Sequence, residues 1–303
     1  MLTIRRQIKT NWQLYLFLLI PVVYIIIFAY VPMVGAQIAF RRYSARTGIW
    51  GSQWVGFDNF IKFFQSYQFI RVVYNTFSLS VLTIAVSFPI PVIFALLMNS
   101  FESQAYKKIS QTIVNLPHFI SVVVLVGMIF QIFNADTGFY GNLMYALTGN
   151  KPPDLFARPE NFRIMYIGSG VWQSFGWSSI IYLAALSGVS SEMHEAAIID
   201  GATRFQRILY VDFPSILPTV TIMLILRMGS VMSIGFEKVF LFQNGLNLSL
   251  SEVISTYVYK VGLTGTSDFS YSTAIGLFNS VINMAMIALV NFFARKMGET
   301  SLW

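Results

Sequence analysis

Uncharged apolar runs separated by short polar segments recur along the whole chain. Residues 12–31 and 72–101 carry no charge, and 109–135 interrupts its apolar character only with His118. Residues 164–191 are uncharged, 213–236 hold the single Arg227, and 269–294 are again uncharged. A helix needs about 20 apolar residues to cross about 30 Å of hydrocarbon. The pattern therefore predicts an all-α integral membrane protein of six transmembrane helices, at about 12–31, 73–98, 112–134, 164–187, 214–236 and 271–293, in one domain over 1–303. Pro21, Pro89, Pro91 and Pro117 fall inside these runs, where membrane helices tolerate them as kinks. Residues 137–150 and 239–251 are shorter and broken by Asn and Gly, and they read as interfacial or loop segments. The first run is too long and too aromatic for a cleaved leader, and no small-residue cleavage site adjoins it.

Composition agrees. Of 303 residues, 55% are hydrophobic and 11% charged, with a mean hydropathy of +0.63. Soluble domains carry about 25% charged residues, and 28 Phe, 15 Tyr and 6 Trp are too much apolar surface for a disordered chain. The absence of cysteine excludes disulfides and thiolate metal sites. His118 and His194 are the only histidines, so no metal site is expected. The net charge of +7 points to loops that set topology and meet anionic headgroups, not to nucleic acid. Arg5, Arg6 and Lys9, then Lys107 and Lys108, then Arg295 and Lys296 lie in short segments, which favours cytoplasmic N- and C-termini. The longer loops on the opposite side carry Trp50, Trp54, Phe57, Phe60, Phe63 and Phe64, read as an interfacial aromatic belt with partner docking as the alternative.

The loop at 190–213 is the most informative segment. Ser190 or Ser191 supplies an N-cap, Glu192 complements the helix dipole, and Gly201 stands where a left-handed residue ends a helix. Ala196 and Ala197 keep one face small enough for close approach by another protein. Pro214 and Pro218 open the next span, where a missing N–H is harmless. From physics alone this is a capped helical hairpin between two spans. No Gly-x4-Gly-Lys-Ser/Thr sequence occurs, so any ATP site must belong to a partner.

The residues Glu195, Ala196, Ala197, Asp200, Gly201, Ala202 and Pro214 resemble the EAA loop of permease subunits of binding-protein-dependent ABC importers. Val211 and Phe213 stand where Ile and Leu are usual, and Ser190-Ser191 replaces a common proline-containing turn. The resemblance extends along the chain. It includes Tyr30-Val31-Pro32-Met33, Trp54-Val55-Gly56-Phe57-Asp58-Asn59-Phe60, Asn75-Thr76, Leu116-Pro117-His118-Phe119, Tyr182 to Gly188, Gly235-Phe236-Glu237-Lys238 and Ser301-Leu302-Trp303. Together they resemble the sugar-permease branch related to the maltose system, in particular the branch associated with complex oligosaccharides and polysaccharide fragments. That implies a type I (MetI-like) importer permease in a bacterial plasma membrane, moving oligosaccharide by alternating access. It implies as partners a second homologous permease, two ATPase subunits holding ATP and Mg, and an extracellular solute-binding lipoprotein. This chain would bind no cofactor and catalyse no bond chemistry.

Polar groups inside spans mark solvated paths or helix contacts. Arg227 is a lone charge in the fifth span, with Ser230 and Ile234 expected on its face. In the fourth span, Gln173 and Trp177 are one turn apart, beside Ser174. Hydroxyls, an amide and an aromatic ring suit a sugar, and Arg227 suits an acidic one. The resemblance places both helices along the translocation cavity. The bland alternatives are that Gln173 and Ser174 bond neighbouring helices, that Trp177 faces lipid or the core, and that Arg227 pairs with a neighbouring subunit or snorkels toward an interface. Asn279 and Asn283 read as inter-helix contacts, His118 as structural, and His194 as lying on the surface of its helix. An ion-driven transporter would need a carboxylate within a span, and none is present. A membrane glycosyltransferase would need clustered acids, and an exporter half would carry its own ATPase.

Overall fold

The computed structural model describes residues 10–265 and 267–296. Arg5, Arg6, Lys9 and the terminal Ser301-Leu302-Trp303 lie outside the described residues. The principal elements are α1 (Trp12–Ile25), strands β1 (Arg41–Arg42) and β2 (Gln53–Trp54), α2 (Asp58–Gln65), α3 (Gln68–Ser87), α4 (Pro89–Ser100) and α5 (Gln104–Asn115). They continue with α6 (Val122–Ile132), α7 (Phe139–Thr148), α8 (Pro159–Leu186), α9 (Ser191–Ile199), α10 (Arg204–Arg207), α11 (Phe213–Met228), α12 (Phe236–Phe242) and α13 (Phe269–Lys296).

Among the described residues, four helical stretches are long and apolar enough to cross a membrane: Trp12–Phe40, Gln68–Ser100, Arg204–Met228 and Phe269–Lys296. Gln104–Phe119 and Val122–Ile132 make a fifth if the pair is one span, but it bends by 96°. The third run is therefore not the single helix, kinked at Pro117, expected over 112–134, but two helices. Pro117 lies in a 3-10 turn, Leu116–Phe119, and the Ser121 hydroxyl caps a new helix by accepting from Val124 N at 3.3 Å. α8 has 28 residues, about 42 Å of helix. Gly168, Ser169, Gly170, Gln173, Ser174 and Gly176 dilute its hydropathy, and only part of the helix is buried.

Proline also shapes the rods. A π-helical turn at Ile26–Tyr30 comes just before Pro32, and another at Ile208–Asp212 just before Pro214. A proline ring collides with the carbonyl four residues earlier, here Phe28 and Tyr210, and the widened turn accommodates it. The rod therefore continues from Arg204 into α11, with Pro218 inside the helix and not at its start.

The chain forms two compact units. The first comprises residues 1–66 with 258–278. Within it, α1 is exposed along its whole length, as suits a helix apolar on all sides. β1 pairs antiparallel with β2, and Phe40 stacks on Trp54 at 5.6 Å and meets Phe57 edge-on at 5.5 Å. Asn59 donates to the carbonyls of Ala39 at 2.9 Å and Arg41 at 3.2 Å, closing this loop on itself. Of the aromatic residues expected in an interfacial belt, Trp50, Trp54, Phe57 and Phe64 are exposed, whereas Phe63 is fully buried against Phe278 and Tyr271.

The second unit comprises 67–257 with 279–303. One core joins Leu79, Leu125, Ile129, Phe162, Tyr166, Val239 and Phe242; another joins Val92, Ala95, Leu96, Tyr182, Leu186 and Ile216. The two short apolar stretches form α7 and α12, both too short to span. Two buried polar groups bind across elements: Asn75 donates to the carbonyls of Ser249 and Glu252, and Arg71 pairs with Glu252.

Candidate functional site

Helix α9 is closed at both ends by its own sequence. The Ser190 hydroxyl accepts from Glu192 N at 3.2 Å. At the other end Gly201 adopts φ +79°, its N–H donating to Ile198 O at 3.0 Å while Ala202 N–H donates to Ala197 O at 2.9 Å. This reversal satisfies two terminal carbonyls and needs a residue that enters the left-handed region freely. Thr203 then caps α10 reciprocally: its N–H donates to Gln206 Oε1 at 2.7 Å and its hydroxyl accepts from Gln206 N at 3.3 Å. The Thr-x-x-Gln spacing is a local signal for this cap, though it is not among the features anticipated from the sequence.

Most of α9 is exposed. Glu195, Ala196 and Asp200 lie on its surface, as do Met193, Ile198 and Ile199, with Phe205 beyond them. The carboxylates of Glu195 and Asp200 make no hydrogen bond or ion pair among the described residues, although Asp200 N–H donates to Ala196 O at 3.0 Å. His194 departs from the expected surface position. Its Nε2 lies 3.2 Å from Asp212 Oδ1, and the Asp212 side chain is 3% exposed. Asn99 Nδ2 donates to the same oxygen at 3.1 Å.

The residues expected along a substrate path separate into two groups. Gln173 donates to Ile120 O at 2.8 Å, holding α8 to the break between α5 and α6, and lines neither of the cavities described next. Ser174, Trp177 and Arg227 line a cavity of about 230 Å³ with Ser87, Ser178 and Tyr182. Arg227 and Ser230 line a second, of about 160 Å³, with Ser80, Thr83, Tyr166 and Ser233. Arg227 borders both. Ser174 also bonds back to Gly170 O at 2.7 Å, and Trp177 stacks on His118.

Arg227 is not deep within a helix. α11 ends at Met228, where Gly229 abuts Ile287, so Arg227 occupies the last turn and Ser230 the following turn. The cation faces the carbonyl end of the helix, where its charge is favoured. Asn283 holds the reversed chain by accepting from Met232 N and donating to Ser233 Oγ, both at 2.8 Å. Asn279 Oδ1 is buried with no hydrogen-bond partner among the described residues.

A second cation emerges that the sequence pattern does not single out. Lys238 is buried, donating to Tyr166 O at 3.0 Å with its ammonium 5.1 Å from the Tyr166 ring. No carboxylate pairs with it among the described residues. Its sequence signal, a charge inside an apolar stretch, is shared with the neighbouring Glu237.

Residues 87–299 match the family model of the binding-protein-dependent transport system inner membrane component. Protein LplB of Bacillus subtilis is 42% identical over 296 residues, covering 98% of this chain and 92% of that protein. The polygalacturonan/rhamnogalacturonan transport system permease protein YteP of the same organism is 38% identical, covering 99% and 93%. Among solved structures, a chain of a bacterial alginate ABC transporter, in complex with an alginate pentasaccharide-bound periplasmic protein, superposes with a TM-score of 0.89. It is 36% identical, with 99% of each chain covered.

Proposed function

The chain belongs to the binding-protein-dependent transport system inner membrane components, and from that premise we propose that it is one permease of an ATP-driven oligosaccharide importer. It pairs with a second permease and with two ATPase subunits that hold ATP and Mg. Sugar arrives on an extracellular binding protein, and alternating access carries it inward. The loop at 190–213 and both termini face the cytoplasm.

The observation that carries the coupling role is the surface of α9. A helix with rigidly built ends presents Met193, Ile198 and Ile199 to solvent beside Glu195 and Asp200. Apolar side chains clustered on a loop between spans suit a protein partner. The ATPase subunit is that partner, and Glu195, Ala196, Ala197, Asp200, Gly201 and Ala202 form the coupling element.

The substrate is an acidic oligosaccharide. Arg227 borders two cavities rich in hydroxyls, and Lys238, which lines neither, donates to the carbonyl of Tyr166, which lines one of them. Cations without carboxylate partners favour an anionic cargo. The alginate and polygalacturonan systems among the relatives support the same reading.

The test is purification of the complex from its native membrane, followed by ATP hydrolysis in lipid vesicles with the binding protein. Co-elution of a second permease and an ATPase, with hydrolysis stimulated by uronate oligosaccharides, is expected. A chain that elutes folded and alone overturns the importer reading, and stimulation only by neutral sugars overturns the acidic cargo.

A further inference from the structure

The coupling reading leaves open how a displacement of α9 reaches the spans. Of its nine residues, only His194 and Ala197 are partly withdrawn from solvent. They lie three apart and so share a face. Ala197 offers a methyl group, which leaves His194 as the polar hold of this helix on the unit beneath it.

That hold reaches one atom. Asp212 Oδ1 receives His194 Nε2 at 3.2 Å and Asn99 Nδ2 at 3.1 Å. Asp212 ends the π-turn immediately before α11, and Asn99 lies in the last turn of α4. Lys107 Nζ donates to Asn99 O at 3.1 Å, adding α5 to the same junction. A single buried carboxylate oxygen therefore joins the exposed helix to the feet of two apolar rods, Arg204–Met228 and Gln68–Ser100.

The surroundings make this bond decisive. A cavity of about 390 Å³ lies alongside, lined by Asn99, Glu102, His194, Arg204, Arg207 and Asp212 among others. Close packing does not fix α9 on that side, so a directional bond sets its position. A nearby ion pair, Arg204 in α10 to Glu102, joins side chains that are 64% and 82% exposed. Exposed pairs of this kind contribute little.

We propose that Asp212, His194 and Asn99 form a positioning junction that passes movement of the coupling helix to the second and fifth spans. The inference rests on the coupling role proposed for α9. His194 acts as a donor to Asp212 and touches neither sugar nor nucleotide.

The experiment uses the whole complex in vesicles with its binding protein, and reads uronate oligosaccharide taken up per ATP hydrolysed. His194→Ala and Asp212→Ala are expected to lower that ratio about tenfold. His194→Gln keeps an N–H donor and should stay within about twofold of the wild type, a rescue that a merely structural role does not require. Asp212→Ala removes a buried group, so if it fails to assemble, His194→Ala and His194→Gln carry the test. An assembled His194→Ala complex with the wild-type ratio overturns the junction. So does a His194→Gln variant as impaired as His194→Ala. A wild-type complex with no ATPase subunit instead overturns the coupling role itself, which separates the two failures.

Discussion

His118 lies face to face with Trp177, ring centroids 4.5 Å apart and planes 4° from parallel. His118 belongs to the 3-10 turn where the third apolar run breaks, and Trp177 to α8. The stack therefore pins the bend to the helix beside it, as Gln173 does through Ile120 O. Aromatic pairs of this geometry contribute about 0.5–1.5 kcal/mol beyond buried area. A double-mutant cycle with His118→Ala and Trp177→Ala, read by thermal unfolding in detergent, should give a coupling energy of about 1 kcal/mol. Additive effects would show that the rings do not support each other.

Gly176 allows α8 to approach α5. A Cβ there would lie 2.3 Å from Val114 O and 2.6 Å from Val114 C, atoms of a helical backbone that cannot turn aside. Gly176→Ala should destabilise by about 1–3 kcal/mol as the helices are forced apart. A Cβ at Gly168, in the same helix, would meet nothing within 4 Å, so Gly168→Ala is the control. Unfolding temperatures of the two variants should separate clearly, and equal values would mean that the α5–α8 approach is not tight.

How much can be read from the sequence depends on the range of the forces involved. The helical membrane fold follows from uncharged runs, which report directly on the solvent each segment requires. Gly201 is legible because its backbone conformation is a property of the residue. The place of Arg227 in its helix is not legible, because the end of α11 depends on Gly229 meeting Ile287, far away in the chain. The inward turn of His194 is hidden because nothing local indicates that Asp212 faces it. Lys238 escapes a local reading for the same reason: burial decides its character, and burial is set by Tyr166 and the core around it. Pro117 alone predicts a kink, but the 96° bend also needs Ser121 to start a new helix.

Gly201 separates stability from coupling. Its φ of +79° costs a β-branched residue about 1–2 kcal/mol, while asparagine enters this region more readily. With valine in place, the carbonyls of Ala197 and Ile198 would lose their closing bonds and turn to water. Gly201→Val should therefore insert and fold, yet lose most co-purification with the ATPase subunit, whereas Gly201→Asn retains more of it. Equal retention by both variants would show that the shape of this turn does not matter for docking.

Arg227 tests the cargo. A guanidinium bonded to a carboxylate contributes about 1.5–3 kcal/mol, equivalent to a factor of about 10–100 in binding. Arg227→Gln keeps hydrogen-bonding capacity but loses the charge, so uptake of uronate oligosaccharides should fall by about that factor relative to neutral ones of equal length. Arg227→Lys keeps the charge without the planar fork and should fall between the two. Competition between labelled uronate and neutral oligomers in one vesicle preparation gives the ratio directly and cancels differences in expression. If both sugars lose uptake equally, Arg227 is holding the end of α11 in place through its helix terminus, and the anionic selectivity belongs to other residues, with Lys238 the next to replace.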